Sequence, residues 1–160
     1  MRKRKGFTMV ELMVVIIIMA VLGLAVIPSL MGSSDKAKYS RAWSDLNAIS
    51  NAFTAFYGNR GNLPAISEGN LSSSVTGADK DLLQSFLGTP LADLKDPWGE
   101  EYQIASSWDP ATGKGHIIVF VAPGDTTGGT ATFASGVTAS ARLDPYNGNR
   151  PMAKLVINVM

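Results

Sequence analysis

Catalysis needs paired or clustered polar side chains, and this sequence offers few. Its single histidine, His116, stands beside Ile117, Ile118 and Val119 in a strand-like run, which makes it an edge or core histidine rather than a base. Glu100 and Glu101 are adjacent, hence on opposite faces of a strand, and read as solvated charges rather than as an acid/base pair. The string ATGKGH, residues 111–116, resembles a phosphate loop only in part. The first glycine of the G-x-x-x-x-G-K spacing is missing, and a hairpin turn uses the same residues. Without cysteine there is no thiolate nucleophile, no cysteine metal site and no disulfide framework. No nucleophile elbow or zinc signature occurs, so no enzyme is expected. The one acid that stands out is Glu11, which interrupts an apolar run near its start. Insertion scales put an acidic residue at the centre of a membrane helix at roughly 2.5–3.5 kcal/mol, and less near an interface, so a cationic partner is expected.

The run that Glu11 interrupts is long. From Leu12 to Ser34 no residue is charged, and Leu12 to Ile27 is almost wholly apolar apart from Gly23. At about 1.5 Å per residue this covers the hydrocarbon core of a bilayer. The basic cluster Arg2, Lys3, Arg4 and Lys5 should stay cytoplasmic, which places everything after Ser34 on the far side. A cleaved secretory signal is the alternative, but Pro28, Ser29, Leu30, Met31 and Gly32 follow the run without a clear A-x-A pattern. Without residues 1–6 the chain keeps ten Lys and Arg against thirteen Asp and Glu, a net of −3, which argues against nucleic-acid binding. The 160 residues amount to about one domain, and the 17% charged content, below the roughly 25% usual for soluble domains, reflects the apolar start.

The string KGFTMVELMVVIIIMAVLGLAVIP, residues 5–28, resembles the N-terminus of type IV prepilins and type II secretion pseudopilins. That resemblance implies a basic leader ending at Gly6, cleavage by a prepilin peptidase, and N-methylation of the new terminal residue Phe7. It also implies an assembly role for Glu11, four residues beyond the cut, and a helix perturbation at Pro28. Cleavage creates an ammonium at Phe7, so a neighbouring copy offset along a filament axis could bring that cation to Glu11. Lipid tails are as apolar as Val14, Ile16, Ile17 and Ile18, so leaving lipid for a bundle gains little from burial, and polar contacts and packing must decide. Ala20, Gly23 and Ala25 permit close helix approach or are ordinary anchor residues; they form no GxxxG motif.

Beyond Pro28, apolar Trp43, Leu46, Ile49, Phe53 and Phe56 recur at spacings of three and four, the pattern of an amphipathic helix lying on a sheet. Ser33 or Ser34 is a candidate cap and Gly58 a candidate stop. Pro28 and Gly32 either kink or unwind the chain locally, or only end the membrane portion and start the next helical piece.

The head begins in turn-rich sequence at residues 58–64 and stays loop-like through Gly77. A short helix is expected over Asp79–Leu87, capped by Asp79, with Leu82, Leu83 and Phe86 inward and Gly88 closing it. Strands are expected at Tyr102–Ser106, His116–Ala122, around Phe133–Leu143 and at Ala153–Val159, with residues 109–115 as a hairpin. DPWGEEY, residues 96–102, resembles the DPWG-x-x-Y element of the major pseudopilins of type II secretion systems. Asp96 before Pro97 favours a turn, Gly99 permits positive φ, and Trp98 can seal the helix stripe against the sheet next to Tyr102. The resemblance also implies a structural calcium in an acidic loop near the C-terminus. Residues 122–130 offer one carboxylate, Asp125, beside Thr126 and Thr127, with Asp109 and Asp144 as further candidates, whereas calcium takes six to eight oxygens. No cofactor is expected; the calcium that the resemblance implies would have to lie around Asp125.

The expected fold is α+β: a leader at 1–6, a long helix at 7–58 with a membrane-spanning first half, and an antiparallel sheet head at 59–160. The expected function is that of a filament subunit, the major pseudopilin of a type II secretion system. The alternatives are a type IV pilin of a surface fibre for adhesion, twitching motility or DNA uptake, and a membrane-anchored domain that does not polymerise. Expected partners are further copies of the chain, minor pilin-like subunits, the prepilin peptidase and an inner-membrane assembly platform. The expected location is the inner membrane, with the head on its periplasmic or outer side.

Overall fold

The computed structural model describes residues 6–107, 115–124, 128–132 and 138–159, with the side chains of 25–31 and 157–159 outside the description. It divides into two units, Met1–Ala37 and Lys38–Met160. Helix α1, Met9–Arg60, supplies the regular structure of the first and the opening element of the second.

In the first unit the described side chains from Phe7 to Leu22 are all exposed. The stretch is apolar all round, so no single stripe could be turned inward. Among the described residues no helix is long and apolar enough to cross a membrane; the uncharged run read from the sequence continues through 25–31. The helix is assigned without interruption through residue 28. Of the alternatives at Pro28 and Gly32, a local unwinding is not seen in the single subunit, and Ser33 and Ser34 are interior to α1 rather than caps. A proline takes one donor out of the ladder, at about 3 kcal/mol, and a helix already propagated on both sides can persist through that loss.

In the second unit α1 buries Ala42, Leu46, Ile49, Phe53 and Phe56, the three-and-four spacing of one face, with Trp43 half-buried beside them. The helix runs past Gly58 and ends at Arg60, where Gly61 adopts φ +73° and its N–H reaches Tyr57 O at 2.8 Å. The segment expected to be loop holds β1 (Gly69–Asn70) and a single turn α2 (Leu71–Ser74). Helix α3 spans Gly77–Leu87, so its N-cap is Thr76 rather than Asp79. It buries Leu83 fully and Leu82 partly, whereas Phe86, expected inward, is exposed: so short a helix presents only a narrow face to the core.

An antiparallel sheet takes the order β1–β2–β3–β7, with β2 at Gln103–Ser106, β3 at Gly115–Phe120 and β7 at Ala153–Val159. Ile117, Val119 and Val121 join the core beneath α1, while Ile118 and Phe120 meet Ala139 and Ala141 on the opposite face. Both faces are covered, which explains why the sequence of β3 is continuously apolar rather than alternating. The covering layer is a second antiparallel sheet, β4 (Gly128–Thr132), β5 (Thr138–Asp144) and β6 (Arg150–Pro151). The strand expected around Phe133–Leu143 is β5, from Thr138 on, and β4 before it is unexpected; residues 133–137 lie outside the described residues. So do residues 109–114 of the expected hairpin and the Asp125, Thr126 and Thr127 candidates; β2 and β3 pair antiparallel on either side of the hairpin segment.

Candidate functional site

Residues 6–8 lead into α1 without regular structure. Thr8 sits at the N-cap: its Oγ1 accepts from the Glu11 N–H at 3.2 Å, and Glu11 Oε2 accepts from the Thr8 N–H at 3.5 Å. This reciprocal arrangement is a capping box, which satisfies two backbone donors that the first helical turn leaves open. Glu11 also lies where the positive end of the helix dipole favours a carboxylate. Thr8 is the functional residue absent from the sequence expectations, although its T-x-x-E spacing is a readable helix-start signature. Glu11 thus has a structural task inside one chain, yet among the described residues no cation pairs with it. Phe7 is 79% exposed. At Gly6 an added Cβ would meet no atom within 4 Å, and its φ is not left-handed.

The second set of residues lies in the other unit. Asp96 is buried, and its Oδ1 accepts from the N–H groups of Trp98 and Glu100, both at 2.9 Å. The Asp96 N–H donates to Glu100 O at 2.8 Å, and Gly99 N–H returns to Asp96 O at 3.0 Å. The turn needs φ +94° at Gly99, a value that a side chain disfavours, and Pro97 supplies the preset φ of a turn corner. Half-buried Trp98 packs on the main core and meets Tyr39 of α1 edge-on, ring centroids 4.9 Å apart at 67°.

Tyr102 closes the element. Its ring is fully buried and its hydroxyl donates to Asp45 Oδ2 of α1 at 2.9 Å. Burial, and after it the hydrogen bond and charge of Asp45, push the phenol far above its ordinary value of 10.0. The hydroxyl therefore stays a donor at every physiological pH. Because the folded value lies above the unfolded one, its stabilising effect is complete below pH 10.0 and is lost as pH rises beyond it. Tyr102→Phe should lower stability near neutral pH by about 1–2 kcal/mol and flatten the alkaline decline. Urea unfolding of the full chain in detergent across that range checks both effects; parallel alkaline limbs in the two proteins would refute the assignment.

Among the described residues no three Asp, Glu or His side chains are grouped so as to hold a metal. Gly6, Phe7 and Glu11 belong to Met1–Ala37, and Asp96–Tyr102 to Lys38–Met160, so the structure holds two sites: one at the helix start, and one that ties the sheet to α1.

A long N-terminal helix with an apolar first part, leading into an antiparallel head, defines the α+β class of pilin-like subunits. Comparison with known proteins agrees: residues 1–27 match the prokaryotic N-terminal methylation motif, and residues 29–138 match the family described as type II secretion system (T2SS), protein G. The chain belongs to the type II secretion system protein G family. It is 36% identical over 137 residues to the type II secretion system core protein G of Vibrio cholerae serotype O1, covering 84% of this chain and 90% of that one. The proteins of the same name from Aeromonas hydrophila and Escherichia coli K12 are each 35% identical over 107 residues, covering 66% and 65% of this chain and 75% and 73% of theirs. Membership favours the secretion assignment over the surface fibre. The family match ends where β5 begins, so the last strands lie beyond the matched span.

Proposed function

We propose that this chain is the major structural subunit of a type II secretion pseudopilus, made as a membrane-anchored precursor, cut after Gly6 and N-methylated at Phe7. The observation that carries the proposal is the first part of α1, apolar on every face and exposed, with a single acid in its first turn. Such a surface has no place in water. Lipid covers it in the precursor, and other copies of the same helix cover it in a filament. Glu11 then meets the ammonium that cleavage creates at Phe7 of an adjacent copy, pairing two charges that hydrocarbon would otherwise leave uncompensated. The contact joins different patches on the two partners, so assembly does not close on itself and gives an open helix. Pro28, a missing donor inside α1, is where the helix yields on packing.

The partners follow from this life history: further copies, minor pilin-like subunits, the prepilin peptidase and an inner-membrane assembly platform. The head faces the periplasm and the role is structural rather than catalytic. Deleting the gene should abolish release of exported proteins into the medium and leave surface fibres in place. Undiminished release, or loss of fibres alone, would reverse the proposal.

A further inference from the structure

The family resemblance implies a calcium near the C-terminus, and the described residues around that loop do not fit one. Arg142 of β5 is nine-tenths buried, 6% exposed, with its guanidinium carbon 4.3 Å from the centroid of the Trp98 ring. The same guanidinium lies over Gly124: a Cβ added there would come within 2.6 Å of Nη2. Gly124 immediately precedes Asp125, so a permanent cation lies beside the residue that leads into the candidate loop. Asp144, the strand carboxylate available for recruitment, is committed as well. It is 3% exposed, its Oδ2 accepts from Trp43 Nε1 at 2.7 Å, and its Oδ1 accepts from Tyr146 N–H at 3.0 Å. Calcium wants several charged oxygens free to turn toward it and no cation beside it.

The backbone of Arg142 is also the joint between the two sheets. Its N–H donates to Val121 O at 2.9 Å and its carbonyl accepts from Met152 N–H at 2.8 Å, so one residue ties the ends of β3, β5 and β7 together. Its side chain then crosses to Trp98 in the Asp96–Tyr102 turn. We infer that Arg142 is a built-in structural cation, which holds the loop at Gly124 and the second sheet onto Trp98 and makes the fold of the head independent of calcium. An arginine suits this use because its guanidinium is planar, always charged, and stacks on an indole face at less desolvation cost than an ammonium.

The test is thermal unfolding of the full mature chain in detergent, followed by circular dichroism, with a chelator and with millimolar calcium. The wild-type midpoint should stay within about 1 °C in both arms, a shift of well under 1 kcal/mol for a chain of this size. Arg142→Gln should melt about 5 °C lower, the loss expected of a desolvated cation–π contact, and calcium should not restore it. Arg142→Lys, which keeps the charge and loses the planar stack, should fall between the two and serves if the glutamine variant does not fold. A wild-type midpoint that drops with chelator or climbs with calcium would overturn the inference, as would an Arg142→Gln chain as stable as the wild type.

Discussion

Replacing Glu11 by valine should leave the precursor inserted in the membrane and the head folded, while filaments disappear. Valine suits the apolar run as well as its neighbours Val10 and Leu12 do, so insertion gains rather than loses. On the proposed pairing, assembly loses an ion pair and strands the Phe7 ammonium in an apolar setting; removing one partner of a buried pair costs about 3–5 kcal/mol. Each 1.4 kcal/mol is a tenfold change in an association constant, so the subunit concentration needed for growth should rise by roughly two orders of magnitude or more. Because Glu11 also belongs to the Thr8 capping box, valine alone does not separate the two roles. Glutamine does, since it serves in a capping box as well as glutamate but carries no charge. If the charge pair governs growth, Glu11→Gln should fail as badly as Glu11→Val, and Thr8→Ala should only weaken filaments. Pelleted filament yield per unit of membrane-held subunit is the measurement. Near-normal yield from the glutamine variant would leave the cap, not the charge, as the reason for the acid.

What the sequence discloses and what it hides follow from the range of the interactions. The stripe through Leu46, Ile49, Phe53 and Phe56 is local and periodic, so its helix and its buried face are legible, as is β3, whose apolar run outlasts any amphipathic strand. The turn at Asp96–Gly99 is legible because each of its hydrogen bonds spans four residues or fewer. Contacts between distant residues leave no such trace. Trp43 to Asp144 joins residues 101 apart, and Tyr102 to Asp45 residues 57 apart, and in each case neither residue type announces its partner. Arg142 sits in an ordinary strand pattern, and nothing nearby says that its guanidinium will be buried over Trp98. Pro28 shows the opposite failing. A strong local signal for a break is outweighed in the single chain by helix on both sides, and α1 is assigned without interruption through it.

Gly6→Leu should give a chain that folds and inserts as before but is not cut, and therefore does not polymerise. Glycine is kept at a position for left-handed φ or for close contact, and neither holds here: the backbone is not left-handed and a side chain would enter open space. The subunit itself thus places no demand on residue 6, and a defect caused by leucine must arise in the cleft of the peptidase that receives the backbone at the scissile bond. The loss should be large, because a misplacement of about 1 Å at a reacting bond can cost two orders of magnitude in rate. The same change tests the charge argument from the other side. An uncut chain has an amide rather than an ammonium at Phe7, so Glu11 of a neighbour finds no cation there although every residue of the mature sequence is present. Intact mass of the membrane-held chain should show residues 1–6 still attached, with the phenylalanine unmethylated. Normally cut material would move the scissile bond elsewhere, whereas uncut chains that still form filaments would show that assembly does not need the new terminal charge.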